Sequence, residues 1–175
     1  MMVIERIYHP IAQNLGVSLL LRNEINPDIQ FPPRFFINLI QITGNLVANA
    51  IKFTSPNGFV DVVFNMNTSD DYSALVVTVT DSGNIIPPDL ASAFNQSKQV
   101  ATLMQADIEE NFGTRLEYVL QLISEEGGRI FVKSEEESGT TYSLSLPLQD
   151  NYLHHRNGYH SIVENSEVLL NGSLN

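Results

Sequence analysis

The order of predicted elements indicates an α+β fold, a two-layer sandwich with helices on one face of a mixed, mostly antiparallel sheet. A long amphipathic helix follows Pro32-Pro33, because proline is tolerated in the first turn of a helix. Two apolar runs after it, 59–64 and 74–80, are predicted to pair as antiparallel strands. A C-terminal pair of strands, 129–134 and 140–147, flanks an acidic turn that contains glycine.

Shorter elements complete this order. Residues 3–14 predict a helix with Ile4, Ile7 and Ile11 on one face. Three further segments are predicted as a strand over 17–24, a polar loop over 65–73, and an amphipathic helix over 116–125 that ends at Gly127-Gly128.

The composition is typical of one globular domain. The chain has 175 residues, of which 43% are hydrophobic, enough to bury a core. We assign residues 1–148 to this domain and the polar residues 149–175, which include His154 and His155, to a tail or linker. No apolar run reaches the length of about 18 residues needed to span a membrane, and the first residues do not resemble a signal peptide. The absence of cysteine is compatible with a reducing cytoplasm.

The net charge and the motifs that the sequence lacks argue against several classes of function. Twenty acidic residues against nine basic ones give a net charge of −11, which argues against nucleic-acid binding, since that requires a basic surface. The sequence contains no phosphate-binding loop of the Gly-x4-Gly-Lys-Ser/Thr type, no serine hydrolase pattern and no HExxH zinc motif.

The helix that follows Pro33 has two stripes. Apolar residues recur at helical spacing along one side (Leu39, Leu46, Ala50 and Phe53). A second stripe is polar and consists of Gln41, Asn45, Asn49 and Lys52. Amide oxygens are ligands for Mg²⁺ and lysine is a point charge for phosphate, so this stripe suits a metal–polyphosphate ligand. Asparagine at ordinary surface positions of a helix is the alternative interpretation.

The run from Asn45 to Thr54, Asn-Leu-Val-Ala-Asn-Ala-Ile-Lys-Phe-Thr, resembles the N box of the ATP-binding catalytic domain of sensor histidine kinases. These domains belong to the Bergerat-fold ATPase superfamily. The resemblance implies that Asn49 binds Mg²⁺, with Asn45 beside it. It also implies that Lys52 contacts the phosphates of ATP and that Phe53 packs by the nucleotide. The hydrolysing branches of the superfamily have glutamate at the position of Asn45, so the amide favours the kinase branch.

The residues Asp81-Ser-Gly-Asn-Ile-Ile-Pro-Pro88 resemble the G1 box of the same family. The resemblance implies that Asp81 accepts a hydrogen bond from the adenine amino group, and that Gly83 and Ile86 belong to the base-binding loop. Ile85 replaces the second glycine of the box. Glycine permits close approach of the backbone to a ligand, and a β-branched residue does not.

A third motif, Gly113-Thr114-Arg115-Leu116-Glu117, resembles the G2 box, whose glycines wrap the phosphates at a helix start. Gly113, Thr114 and Leu116 match the family. Arg115 and Glu117 replace two glycines; Arg115 supplies a charge for phosphate, whereas Glu117 repels it.

Two further segments fit the family. Residues 90–112 correspond to the mobile segment over the nucleotide, with Phe94 at the F box, and 99–110 have helical spacing. The strands at 129–134 and 140–147 are very similar to the C-terminal hairpin of sensor kinases.

The resemblance implies a catalytic domain that presents Mg-ATP to a histidine on a separate dimerisation domain, in a pathway with a response regulator. Its location would be cytoplasmic, including as the cytoplasmic portion of a membrane-bound receptor. His9 is not the acceptor, because it precedes Pro10 and lacks the acidic residue that follows the family's acceptor.

Two alternatives remain. The three replaced glycines favour a pseudokinase that keeps the fold, binds ATP weakly or not at all, and docks on a partner. A serine kinase of the anti-sigma type fits a lone domain, although the C-terminal hairpin is more similar to sensor kinases.

Overall fold

The computed structural model describes residues 2–69, 72–83, 85–95, 114–136 and 138–148. Within these ranges the chain order is α1 (Met2–Asn14), β1 (Ser18–Asn23), α2 (Pro33–Phe53), β2 (Phe59–Ser69), β3 (Tyr72–Asp81), α3 (Pro88–Asn95), α4 (Thr114–Glu125), β4 (Arg129–Glu135) and β5 (Gly139–Pro147). The predicted tail over 149–175 and most of the predicted segment over 90–112 lie outside the described residues.

The five strands form one sheet in the order β1-β2-β3-β5-β4. Strand β1 runs parallel to β2, and every other neighbouring pair is antiparallel. A mixed, mostly antiparallel sheet was the topology predicted from the order of the elements, and the structure confirms it. The strand that continues into the G1 motif, β3, lies at the centre of this sheet.

One face of the sheet is buried and the other is partly exposed. On the buried face the register aligns Val62, Val79, Tyr142 and Val132 in one row across four strands. The opposite face carries hydroxyl side chains, among them Thr80 and Thr141, whose oxygens are 3.2 Å apart. Because side chains alternate between the two faces of a strand, this division produces the predicted sandwich with its helices on one side.

Helix α2 covers the centre of the buried face. Its apolar side is almost inaccessible to solvent, with Ile42, Leu46, Val47, Ala50 and Ile51 all at most 2% exposed. Burial of this side stabilises the helix, because an amphipathic helix in a folded protein gains most of its stability from packing of its apolar face. The predicted apolar stripe is therefore confirmed for the buried side of the helix.

Helix α1 forms where predicted, but its predicted face is wrong. Ile4 and Ala12 are 1% exposed, whereas Ile7 and Ile11 are 50% and 45% exposed. The buried side follows a spacing of four residues through Tyr8, whose hydroxyl lies close to Gly44 of α2. A narrow contact between two helices buries only this row, so the neighbouring row of isoleucines remains at the surface.

The polar loop predicted over 65–73 is also wrong. Strand β2 extends to Ser69 and β3 begins at Tyr72, and the two pair from Val60–Asp81 as far as Ser69–Tyr72. Residues 70 and 71 lie outside the described residues. Met66, opposite Leu75, still packs against the core, while Asn65 and Asn67 are exposed. Backbone pairing with an apolar neighbouring strand maintains the extended conformation here, although the sequence lacks regular hydrophobic alternation.

The first residues of the predicted mobile segment belong to helix α3, which lies along the free edge of β4. The side chain of Asn95 donates to the carbonyl oxygen of Val132 at 3.0 Å and accepts from its N–H at 2.8 Å. This amide therefore takes the place of a neighbouring strand at the edge of the sheet.

Candidate nucleotide site

The polar stripe of α2 lies at the border of the core. Asn49 is 7% exposed, Asn45 and Gln41 are half-buried, and Lys52 is exposed. The Asn45 side chain donates to the carbonyl oxygen of Gln41 at 2.7 Å. The amide of Asn49 makes no hydrogen bond to any residue in the described part of the chain. Among the described side chains only Thr43 has a fully buried polar atom without a hydrogen-bond partner, so the amide of Asn49 remains accessible to an external ligand at the border of the core.

Helix α4 packs beside this stripe in the antiparallel direction. The Tyr118 hydroxyl donates to Oε1 of Gln41 at 2.6 Å, and Nδ2 of Asn38 donates to Oε1 of Glu126, also at 2.6 Å. Because Tyr118 lies in the second turn of α4, the first turn of α4 is directed toward the half of α2 that carries Asn45 and Asn49. A helix N-terminus attracts anions.

Asp81 ends the central strand and is buried at 3% exposure. Its Oδ1 accepts the N–H of Gly83 at 2.9 Å. Burial raises the pKa of Asp81 to about 6, and hydrogen bonds from the backbone of Gly83 and Thr140 partly offset this rise. A carboxylate held in this way has capacity to accept one more hydrogen bond from a ligand.

A small cavity of about 30 Å³ joins Asp81 to α2. It is lined by Asn49, Ala50, Phe53, Asp81, Ile85, Ile86, Thr140 and Tyr142. The structure thereby brings together residues from the predicted N box and the predicted G1 box. Asp81 and Asn49, 32 positions apart in sequence, border the same space.

Two glycines allow the three segments at this cavity to meet. A Cβ atom on Gly83 would lie 2.4 Å from the carbonyl oxygen of Phe53, at the end of α2. A Cβ atom on Gly139 would lie 1.9 Å from the carbonyl oxygen of Asp81, and Gly139 has φ of +75°. Neither contact is possible for another residue without displacement of the backbone.

Three further residues support this site, and none of the sequence motifs predicted them. The Ser134 hydroxyl accepts the N–H of Ile86 at 2.8 Å and lies 2.8 Å from the Thr140 hydroxyl. Tyr142 is buried, and burial together with the charge of Asp81 raises its pKa. The sheet register, which aligns Thr140 with both Asp81 and Ser134, is the signal that identifies them.

Of the remaining predicted site residues, only Lys52 has a side chain that the structure describes. Lys52 lies outside the cavity, with its Nζ 4.9 Å from the centre of the Phe53 ring. Thr114, Arg115 and Leu116 form the first turn of α4, where the structure describes their backbone but not their side chains. Gly113 lies outside the described residues, and the side chain of Phe94 does as well.

Comparison with known proteins assigns the family. A sequence model of the histidine kinase-, DNA gyrase B- and HSP90-like ATPases matches residues 36–150. The chain belongs to this family. The autoinducer 2 sensor kinase/phosphatase LuxQ of Vibrio harveyi is 33% identical over 162 residues, which cover 86% of this chain and 18% of that protein. The sensor protein RprX of Bacteroides fragilis is 32% identical over 123 residues, or 68% of this chain and 23% of that protein.

Solved structures agree on the fold. The catalytic domain of the histidine kinase ThkA superimposes with a TM-score of 0.61 at 19% identity, covering 83% of this chain and 88% of that one. Full-length ShkA in complex with AMPPNP gives 0.62 at 24% identity, covering 83% and 28%. The chain therefore has the fold of a histidine kinase catalytic domain. It spans about a fifth of the length of LuxQ and RprX, the two relatives described above. None of its described helices is both long and apolar enough to cross a membrane.

We expect Gly139→Ala to lower the free energy of unfolding by about 3 kcal/mol or more, because the new Cβ would overlap the backbone of Asp81. Gly127 is the matched control. It also has positive φ, +65°, but a Cβ there would meet only Pro147 at 3.7 Å. Gly127→Ala should therefore cost only the backbone strain of about 1–2 kcal/mol. Urea denaturation measures both, and equal losses would contradict the close approach.

We expect the burial of Asp81 to make stability depend on pH. Its pKa is higher in the folded chain than in the unfolded chain, so the folded state retains the proton longer. Relative to Asp81→Asn, the wild type should lose stability as the pH rises from about 4 to above 6. Urea denaturation of both proteins across this range tests the prediction. A difference between the two proteins that stays constant with pH would contradict it.

Proposed function

We propose that this chain is the ATP-binding catalytic domain of a two-component sensor histidine kinase, which holds Mg-ATP for phosphoryl transfer to a histidine on a separate dimerisation domain. The observation that carries the proposal is the joint position of Asp81 and Asn49. A buried carboxylate and a largely buried amide border one cavity, and each has capacity to make a further hydrogen bond.

The base end of the site consists of Asp81 and the loop after it. Asp81 would accept a hydrogen bond from the amino group of adenine, which distinguishes adenine from guanine, whose oxygen at the same ring position is an acceptor. Gly83 and Ile86 hold the loop in place through their N–H groups. Phe53, half-buried at the cavity, would pack against the base.

The phosphate end consists of the asparagine stripe and α4. Asn49 would bind the magnesium ion with Asn45 beside it, and Lys52 would neutralise phosphate charge. The described residues contain no group of three acidic or histidine side chains placed to hold a metal ion. The ion would therefore enter with its nucleotide. Gly113, Thr114, Arg115 and Leu116 would surround the phosphates at the helix start.

The chemistry required of these residues is positioning and neutralisation of charge, because phosphoryl transfer needs little covalent participation by the protein. The domain would orient the terminal phosphate toward the acceptor histidine and pass the signal to a response regulator, in the cytoplasm. The 175 residues taken alone should not phosphorylate themselves, because His9 does not match the family's acceptor. Sensor kinases among the relatives support this assignment.

A pseudokinase is the second candidate, and one specific observation favours it. The cavity beside Asp81 has only about 30 Å³, and Ile85 lines it at a position where the family has glycine. In that case the domain would regulate or dock on a partner kinase or response regulator without turnover.

Calorimetric titration with a non-hydrolysable ATP analogue separates the two candidates. With Mg²⁺ present we expect saturable binding to the wild type, and we expect Asn49→Ala to weaken it at least about tenfold through loss of the metal ligand. Asn67→Ala, on the exposed side of β2, is the matched control and should bind as the wild type does. Absence of heat and of any shift in melting temperature at millimolar nucleotide would refute the kinase assignment and leave the pseudokinase.

A further inference from the structure

We propose that the side chain of Ile85 occludes the base pocket and sets its affinity for adenine nucleotides. This inference rests on the proposed function, and it assigns a role to a residue at which the chain departs from its family. Ile85 lines the same cavity as Asp81 and Asn49 and is 42% exposed.

The position of Ile85 is restricted by the loop that contains it. On one side, the N–H of Gly83 is bound to Oδ1 of Asp81 at 2.9 Å. On the other side, the N–H of Ile86 is bound to the hydroxyl of Ser134 at 2.8 Å, and the Ile86 side chain is 4% exposed. The peptide bond between Ile85 and Ile86 is therefore held at the cavity by Ser134, and withdrawal of Ile85 would strain this hydrogen bond.

Ile85 forms the outer rim of the cavity. Six of the eight lining residues are buried, among them Asp81, Tyr142 and Ala50, and Phe53 is half-buried. Ile85 is the one exposed lining residue within the described part of the chain. Among the described lining residues, Ile85 and Phe53 are therefore the two that reach solvent.

The volume behind this rim is too small for a purine. A cavity of about 30 Å³ has room for one or two water molecules. Small-molecule sites commonly measure about 300–1,000 Å³. A base that reaches Asp81 would therefore displace a lining side chain, and Ile85 is the exposed one among those described. The stiffness of a β-branched residue at χ1 opposes that change, and with glycine at this position this obstacle would be absent.

The test measures the dissociation constant of an Mg²⁺-loaded, non-hydrolysable ATP analogue for four proteins by calorimetry. They are the wild type, Ile85→Ala, Ile85→Gly and Ile37→Ala. Ile37→Ala is the matched control, because Ile37 is 53% exposed and lies 12 positions before Asn49, about 18 Å along α2. Ile85→Ala is the principal variant, since it removes the side chain without the added backbone freedom of glycine. Melting temperatures establish that each variant is folded.

We expect Ile85→Ala to tighten binding several-fold and Ile85→Gly to tighten it about tenfold or more, with Ile37→Ala unchanged. Equal or weaker binding by Ile85→Ala would overturn the inference and show that isoleucine is neutral or contacts the base. Binding by Ile85→Ala and Ile85→Gly, with none by the wild type or Ile37→Ala, would confirm the occlusion while refuting ATP binding by the wild type. Failure of all four folded proteins to bind would overturn both the occlusion and the proposed function.

Discussion

The close approach of three backbone segments around Asp81 is the constraint on which the site depends. The end of α2, the end of β3 and the start of β5 meet there at distances that only Gly83 and Gly139 permit. This approach removes the carboxyl group of Asp81 from water, and the raised pKa is the electrostatic consequence. A carboxylate desolvated in this way binds a ligand N–H more strongly than an exposed one does, because water does not compete for it.

Helix α2 connects this carboxylate to the rest of the molecule, since its two sides have different partners. The apolar side packs against the sheet and fixes the distance between Asn49 and Asp81. The polar side contacts Tyr118 of α4 through Gln41, and Glu126, just after α4, through Asn38. In the proposed function this one helix would position both the base end and the phosphate end of the site.

Local pattern was sufficient to predict where the candidate residues lie. Helical spacing placed Asn45 and Asn49 on one polar stripe of a helix, and the strand-to-turn transition placed Asp81 at the end of a strand. Their roles are implied by the family resemblance and stay predictions. Residues whose role depends on pairing between strands were missed, as Ser134 and Thr140 show, because register is not encoded in any one segment. The same reason explains the wrong loop at 65–73, where a neighbouring strand maintains the extended backbone. The predicted face of α1 was wrong because only the row of residues through Tyr8 contacts α2, at Gly44.

The replacement of glycine by Ile85 was visible in the sequence, but its consequence was not. The sequence alone shows a lost glycine, whereas the structure shows a side chain at the rim of a cavity whose loop is fixed on both sides. The replacement at Ile85 thus concerns the entrance of the pocket, while the floor of the pocket retains Asp81 and Asn49.

The decisive measurement is a crystal structure of the chain with Mg²⁺ and a non-hydrolysable ATP analogue. We expect the adenine amino group against Asp81, the metal ion on the side-chain oxygen of Asn49, and Ile85 displaced from the rim. A nucleotide bound elsewhere on the molecule, or bound here with the metal ion away from Asn49, would contradict this expectation.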